Sequence, residues 1–443
     1  DENFKEVLIK VRDLIKEQYD IDDWGTCYYA EAKPAQVEIL KEVFGFNHME
    51  FMSHHISHAA GSLYQSPFDE ALIISSDSGG WETDTLSVAT FCIFHAKKNG
   101  EINKIASIPL DACGGYTLLA VPISDIKKQD VFTDYLRYAG KLMGLSGYGN
   151  IRPGWFDAMK DYFYLPVRME SLKQLGERIG LDLSDINTIT GQDAYDLAAT
   201  GQYVFEQVTI NAILPFVKRY QLPIISTGGG GLNVLLNERL RTEIGYPVFV
   251  PCNPNDCGLA FGFMALRNPP DKQISIQYNN FPILDINQLQ DYIEKYGARQ
   301  TDFKDLARLL CKGKIIGVMR GNSEVGPRAL GNRSILCLAT DPEVKERLNN
   351  GIKNREYWRP FGPVIKAQDV ERYFEFSGES PFMSYAPKVR SQYKEKLSSV
   401  VHADETTRLQ TVTFTQHAFF YGLLTAMSIE GHLPVILNTS FNI

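Results

Sequence analysis

Nowhere does the 443-residue chain string together the roughly 18 apolar residues that a helical membrane span requires, so a protein of that kind is excluded. Surplus positive charge is missing too: Lys and Arg number 45 against 53 Asp and Glu, a formal net charge of −8. That balance speaks against a general binder of polymeric nucleic acid or of membrane surfaces, while leaving room for a local basic pocket. Cysteine is sparse, seven residues scattered singly. The closest pair, Cys252 and Cys257, has four residues between it, which is not a zinc-knuckle spacing. We read the cysteines as reduced thiols of a cytoplasmic protein. The opening "DENFKEVLIKVRDLIKEQ" has the pattern of a charged amphipathic helix, not of a secretory leader. Internal repeats and low-complexity tracts are lacking as well.

What is present is an ordinary globular composition, 44% hydrophobic and 22% charged, in a chain long enough for two cores. Apolar, β-rich runs alternate with helical patterns: "EALIISSDS", "SVATFCIFHAKK", "LPIISTGG", "PVFVPCN", "GKIIGVMRG" and "LPVILNTSFN". That alternation predicts an α/β architecture. Residues 267–285, rich in Pro and polar side chains, form the candidate linker. We expect one domain over 1–268, a linker over 269–285 and a second domain over 286–443.

In "MSHHISHAA", His54 and His58 stand four apart, so on a helix they share a face and could grip one metal ion. Two partly exposed helical histidines would have the same spacing. His55 points off that face. A third ligand is offered by Asp256 in "NPNDCGLAF", at a loop-to-helix junction where the side chain could equally be a cap. Two glycine-rich turns follow apolar strands, one with Asp77, Ser78, Gly79 and Gly80, the other with Gly228, Gly229, Gly230 and Gly231. Their backbone N–H groups could approach phosphate closely. Two such units flanking a histidine helix look like an actin-like (ASKHA-type) ATPase fold. A third glycine segment, "GKLMGLSGYGN", carries Lys141 and Tyr148 and would either close over a ligand or form a plain turn.

Basic residues collect later. Between Arg320 and Arg359 eight basic residues face five acidic ones. Arg328 and Arg333 in "GPRALGNRS", and Lys353, Arg355 and Arg359 in "IKNREYWRPFGP", sit beside Gly, Pro and aromatics. Converging guanidinium forks suit a polyphosphate or acyl phosphate, and a buried salt-bridge network is the structural alternative. His402, Asp404 and Arg408 in "HADETTRLQTV", and Ser440 and Asn442 in "NTSFN", extend the polar set.

Taken together, "SHHISHAAGSLYQSPFDEA", "GKLMGLSGYG", "EVGPRALGNRSIL", "IKNREYWRPFGP", "SPFMSYAPKVR", "HADETTRLQTV" and "NTSFN" resemble, in this order, the O-carbamoyltransferase family of tobramycin, cephem and nodulation-factor carbamoyltransferases. The resemblance runs from about Met52 to the end. It implies an actin-like domain of the threonylcarbamoyl-synthase type followed by a YrdC-like α/β domain. In the latter, a KxR pair corresponds to Lys353 with Arg355, and an SxN pair to Ser440 with Asn442. The implied reaction has two steps. Carbamoyl phosphate and ATP, the latter with Mg, give carbamoyl adenylate among Arg328, Arg333, Lys353, Arg355, Arg359, His402 and Arg408. The carbamoyl group then passes to a hydroxyl of a small acceptor. For that step the resemblance implies a metal ion on His54, His58 and Asp256, a mixed imidazole and carboxylate set that favours iron or manganese over zinc. We expect the adenylate to be held by Gly229, Gly230 and Asn233. A homodimer is allowed. Carbamoylation of a hydroxymethyl group on a nucleotide is the alternative acceptor chemistry, and a non-catalytic nucleotide sensor is the alternative class. The chain departs from the family pattern in four places. The N-terminal strand with its His-Asp pair is absent, and the chain stops just after the SxN pair. "DSGGWE" replaces "DGxGEW", which leaves Glu82 without an assigned role. Glu405 stands where a Gly is usual.

Overall fold

Strands form where the apolar runs are predicted, and a computed structural model describes residues 2–30, 33–83, 87–128 and 135–442. In chain order the strands are β1 (Thr26–Tyr29), β2 (His48–Phe51), β3 (Glu70–Glu82), β4 (Ser87–Lys97), β5 (Ile102–Ser107), β6 (Ile224–Thr227), β7 (Val248–Phe249), β8 (Ile316–Met319), β9 (Arg333–Leu338), β10 (Gly362–Lys366), β11 (Gln410–Val412) and β12 (Ile436–Ser440). All six apolar runs named above contribute one. The opening helix is present as well, over Glu2–Tyr19.

The strands make two five-stranded sheets and one parallel pair, β1 with β2. In the first sheet the order is β5-β4-β3-β6-β7, with β3, β4 and β5 antiparallel and β3, β6 and β7 parallel. The second has the order β11-β10-β12-β9-β8, in which only β10 and β11 are parallel. The period of two in a strand divides each sheet's side chains between two cores. On the first sheet, Leu72, Ile74, Phe91 and Ile93 join a core with the long helix Gly191–Tyr220. Ile73, Cys92 and Phe94 pack the other way, against the helix His54–Gln65. On the second sheet, Ile335, Cys337 and Leu437 face one core while Leu336 and Ile436 face another. This is a mixed α/β protein with helices on both faces of its sheets. Among the described residues, no helix is long and apolar enough to cross a membrane.

The stretch read as a linker is no loose tether. Ile274 donates its N–H to the carbonyl of Tyr64 (2.8 Å), at the end of the histidine helix. Farther on, Val325 donates to Gln277, Ser323 to Phe281 and Ile283 to Gly321, each at 2.9 Å. The segment is stitched first to one half of the chain and then to the loop that carries Arg328.

Candidate active site

Two close helix contacts and one strand bulge assemble the histidine site. The helix His54–Gln65 lies against the helix Leu259–Arg267 through glycines. A Cβ on Gly262 would sit 2.0 Å from the Ser57 carbonyl oxygen, and one on Gly61 would sit 3.2 Å from the Gly262 nitrogen. That approach brings Asp256, in the 3₁₀ turn Asp256–Gly258, onto His54 and His58. From the other side β3 bulges between Ser76 and Gly80, where a Cβ on Gly80 would overlap the His54 ring at 2.2 Å. The bulge delivers Asp77 to the same point. Glu82, unassigned from sequence, is buried, and its carboxylate accepts the His55 N–H at the start of the helix (2.8 Å) and Lys104 Nζ (3.2 Å). His55 itself is structural, its ring nitrogens 2.7 Å from Ser75 Oγ and 2.9 Å from the Ala89 carbonyl.

The side-chain atoms of His54, His58, Asp77 and Asp256 that could bind a metal all lie within 4.8 Å of one another. His54 Nε2 and His58 Nε2 are 3.1 Å apart. Asp77 Oδ2 lies 3.8 Å from the first and 3.5 Å from the second, and Asp256 Oδ1 lies 3.7 Å and 3.4 Å from them. Ligands about 2.1 Å from one ion stand about 3.0–3.4 Å apart in octahedral or tetrahedral arrangements. Two imidazoles and two carboxylates at these separations fit a divalent cation. Burial pushes the Asp77 carboxyl up, but hydrogen bonds and charge from the two histidines outweigh it and hold the group well below the usual carboxylate range.

The glycine turns need correction. Asp77, Ser78, Gly79 and Gly80 do not end a strand but lie in the bulge inside β3. Backbone amides expected to face phosphate face Asp77 instead: Ser78 N–H donates to Oδ1 (2.7 Å) and Gly229 N–H to Oδ2 (2.6 Å). Gly228, at φ +78°, lies so close to Ser76 that a Cβ would be 2.2 Å from its carbonyl oxygen. Gly231 closes the turn by donating to the Gly228 carbonyl (3.0 Å). The Asn233 side chain, expected on the adenylate, caps the following helix at Leu236 N–H and pairs with Gln202, each at 3.0 Å. Gly229, Gly230 and Asn233 nonetheless line a cavity of about 400 Å³, with Asp77, Asp256 and Arg328 on its wall.

Arg328 and Arg333 diverge. Glu324 organises their loop by accepting the N–H groups of Leu330 (2.9 Å), Asn332 (2.9 Å) and Arg333 (3.2 Å). The sequence reading missed this carboxylate, although its place three residues before Pro327 in a Gly-rich loop was the available signal. Arg328 turns into the cavity and donates to the Leu232 carbonyl (3.3 Å). Arg333 is exposed at the start of β9 and donates to the carbonyl of Phe441, between Ser440 and Asn442. Lys353 completes that end of the sheet, donating to Asn442 Oδ1 (2.7 Å), the Asn442 carbonyl (2.8 Å) and Ser440 Oγ (3.2 Å).

Arg328, Arg355, Arg359 and Arg408 form a recessed group. Burial, and then one another's charge, disfavours the cationic state of Arg328, Arg355 and Arg408. Arg355 Nη2 and Arg408 Nε are buried without hydrogen-bond partners. Arg355 Nε donates to Asn349 Oδ1 (2.8 Å), and its guanidinium stacks on Phe361 at 4.4 Å. A salt-bridge network would give each arginine an acid, but the charges bearing on Arg328 and Arg408 are those of other arginines. Such a group suits an incoming anion. His402 Nδ1 pairs with Asp404 (3.2 Å) beside Arg408, while its Nε2 is buried without a partner. Lys141, expected on a cofactor, instead bonds Glu356 Oε1 (2.9 Å).

Comparisons with known proteins follow the same division. Residues 24–265 match the family model for the carbamoyltransferase N-terminus, and residues 307–443 that for the carbamoyltransferase C-terminus. The nodulation protein NolNO of Sinorhizobium fredii is 29% identical over 91% of this chain and 61% of its own length. An uncharacterized protein of Methanocaldococcus jannaschii is 30% identical over 89% of this chain and 76% of its own. The chain thus spans about three-fifths of the first of these relatives. Among solved structures, HypF of T. kodakarensis aligns with 59% of this chain and 43% of its own at 15% identity and a TM-score of 0.36.

Proposed function

The chain belongs to the carbamoyltransferase family, and we propose that it carries out ATP-dependent transfer of a carbamoyl group to a hydroxyl of a small-molecule acceptor. One observation carries the reading: Arg328 belongs to the recessed arginine group and also lines the cavity of the histidine site. Two phosphate-handling places in one chain, joined by a shared wall, suit a reaction that makes an activated intermediate in one and spends it in the other.

In this scheme the second half, read as YrdC-like, binds carbamoyl phosphate and Mg-ATP. Water releases inorganic phosphate from carbamoyl phosphate. An oxygen of the resulting carbamate attacks the α-phosphate of ATP and displaces pyrophosphate, while Lys353, Arg355, Arg359, Arg408 and the SxN pair neutralise phosphate oxygens. The products are carbamoyl adenylate, pyrophosphate and inorganic phosphate. The first half, read as actin-like, receives the adenylate in the cavity. There the acceptor oxygen attacks the carbamoyl carbon, the bond to the phosphate oxygen breaks, and AMP leaves. His54, His58, Asp77 and Asp256 would hold the divalent ion, for which imidazole with carboxylate favours iron or manganese. When bound, such an ion supplies positive charge for the phosphate of the leaving AMP. Arg328 and the amide of Gly230 would steady the same group. A cavity of about 400 Å³ is in the range of small-molecule sites and suits a small acceptor, not a polymer.

The test is ATP–pyrophosphate exchange dependent on carbamoyl phosphate, followed by a screen of sugar and nucleotide acceptors for O-carbamoyl product. Nucleotide binding with no exchange at any carbamoyl phosphate concentration would reduce the chain to a sensor. Product on a hydroxymethyl nucleotide alone would replace the sugar-type acceptor.

A further inference from the structure

The segment "GKLMGLSGYGN" borders the cavity at Gly140 and Met143 and continues beyond it. It docks on the loop that carries Arg355 and Arg359. A Cβ on Gly144 would lie 3.1 Å from the Trp358 ring, and one on Gly147 would lie 2.6 Å from His402. Tyr148 meets Tyr357 and His402 edge-on, with ring centroids 6.1 Å and 5.8 Å away. Inside this contact the buried Glu356 takes Lys141 Nζ (2.9 Å) and the Lys127 N–H (3.1 Å) on one oxygen, Oε1. Lys141 is itself steadied by donating to the Lys127 carbonyl (2.5 Å). The other oxygen, Oε2, stands 3.9 Å from Arg359 Nη1. That is too far for a hydrogen bond. Arg359 and Glu356 thus face each other as an ion pair with no hydrogen bond between their side chains.

A guanidinium fork accepts a carboxylate as readily as a phosphate. Glu356 lies between two arginines of the group and its charge bears on both. It is therefore a built-in competitor for the anion, and what restrains it comes from the N-terminal half of the chain. We propose that Lys141 is a positioning residue that holds Glu356 off Arg359 and so keeps the arginine group open to the phosphate oxygens of an anionic substrate. Without its cation, Glu356 swings the short remaining distance onto Arg359 and closes the site from within. This rests on reading the arginines as a phosphate site.

The two roles, latch and mere bridge, differ in how the partners' substitutions combine. Pyrophosphate binding to the full chain is measured by calorimetry on wild type, Lys141→Met, Glu356→Gln and the double variant, with melting temperatures on the same samples. KM and kcat for carbamoyl phosphate in the exchange reaction are read alongside. Lys141→Met should weaken pyrophosphate binding roughly tenfold or more, the scale of one charge-assisted contact, and raise KM more than it lowers kcat. Glu356→Gln alone should stay within about threefold of wild type, and the double variant should return to that level, since the competitor is gone. Should Lys141→Met fail to fold, Lys141→Gln, which keeps a donor but no charge, carries the same expectation. A double variant as weak as its folded Lys141 parent, or a folded Lys141 variant with wild-type affinity, would overturn the latch. Wild type that binds pyrophosphate but exchanges none would instead sink the carbamoyl-adenylate reading, leaving the latch to stand on binding alone. Wild type that binds no pyrophosphate overturns both.

Discussion

The histidine site and the arginine group are built with opposite electrostatics. In the first, two carboxylates and two imidazoles face one another at the separations of ligands around one cation. In the second, four guanidiniums crowd together with donor atoms left bare, and Glu356 is held aside by Lys141. The arginine arrangement is costly without an anion, because like charges are desolvated together, whereas at the histidine site the imidazoles favour the buried Asp77 carboxylate and Asp256 stays exposed. The difference teaches what each suits: a cation at the histidine site, an anion at the arginine group. Arg328, on the wall between them, is where the two meet.

The largest break should come from His58→Ala. Metal content should fall toward zero and carbamoyl transfer by roughly a hundred- to thousandfold, the scale of losing a group that stabilises developing charge. Exchange in the other half should persist. Metal analysis with both assays on one preparation is decisive, and full metal occupancy would dissolve the contrast.

Next in size is Arg408→Met. Exchange should fall roughly ten- to a hundredfold, from loss of a charge-assisted contact worth about 1.5–3 kcal/mol. The melting temperature should hold or rise, because one of four repelling charges is gone. A salt-bridge network predicts the reverse: a lower melting temperature with turnover per folded molecule kept.

Gly262→Ala probes the packing beneath the cation site without touching a ligand. Its Cβ, at 2.0 Å from the Ser57 carbonyl, must push two helices apart. Overpacking of this kind costs about 1–3 kcal/mol. Asp256 should retreat from the histidines, so metal affinity should drop while the arginine half binds pyrophosphate as before. Calorimetry with manganese and with pyrophosphate separates the two effects.

The sequence made some of this legible and hid the rest for physical reasons. Helical spacing announced His54 and His58, and apolar runs announced the six strands, because both signals are local. The divergence of Arg328 from Arg333 was not local: it depends on Glu324 gathering three amides and on where β9 begins. Asp77 looked like part of a phosphate turn because a bulge inside a long strand and a strand-end turn share the same glycines. Its role as a fourth potential ligand follows only from the register shift between Ser76 and Gly80. Lys141 and Glu356 lie 215 positions apart, and no spacing rule could have paired them.

The smallest effect is a pH dependence with two signs. Burial, and then Arg355 and Arg359, push the Lys353 ammonium down from 10.5 to about 8. Below about pH 8 the lysine is charged both folded and unfolded, and its repulsion by the arginines is fully present. Between about 8 and 10.5 the unfolded chain binds more protons than the folded one, so this group's contribution to stability should rise with pH. Anion binding needs the ammonium and should move the other way, weakening as pH climbs through about 8. A bound phosphate offsets the neighbouring guanidiniums and holds the proton on, so the alkaline limb of kcat should lie above that of kcat/KM. Lys353→Gln should flatten the limb of kcat/KM and remove the alkaline gain in melting temperature together. If the limb stays in place in that variant, another group sets it, and Lys353 belongs to the scaffold of the SxN pair and not to the phosphate site.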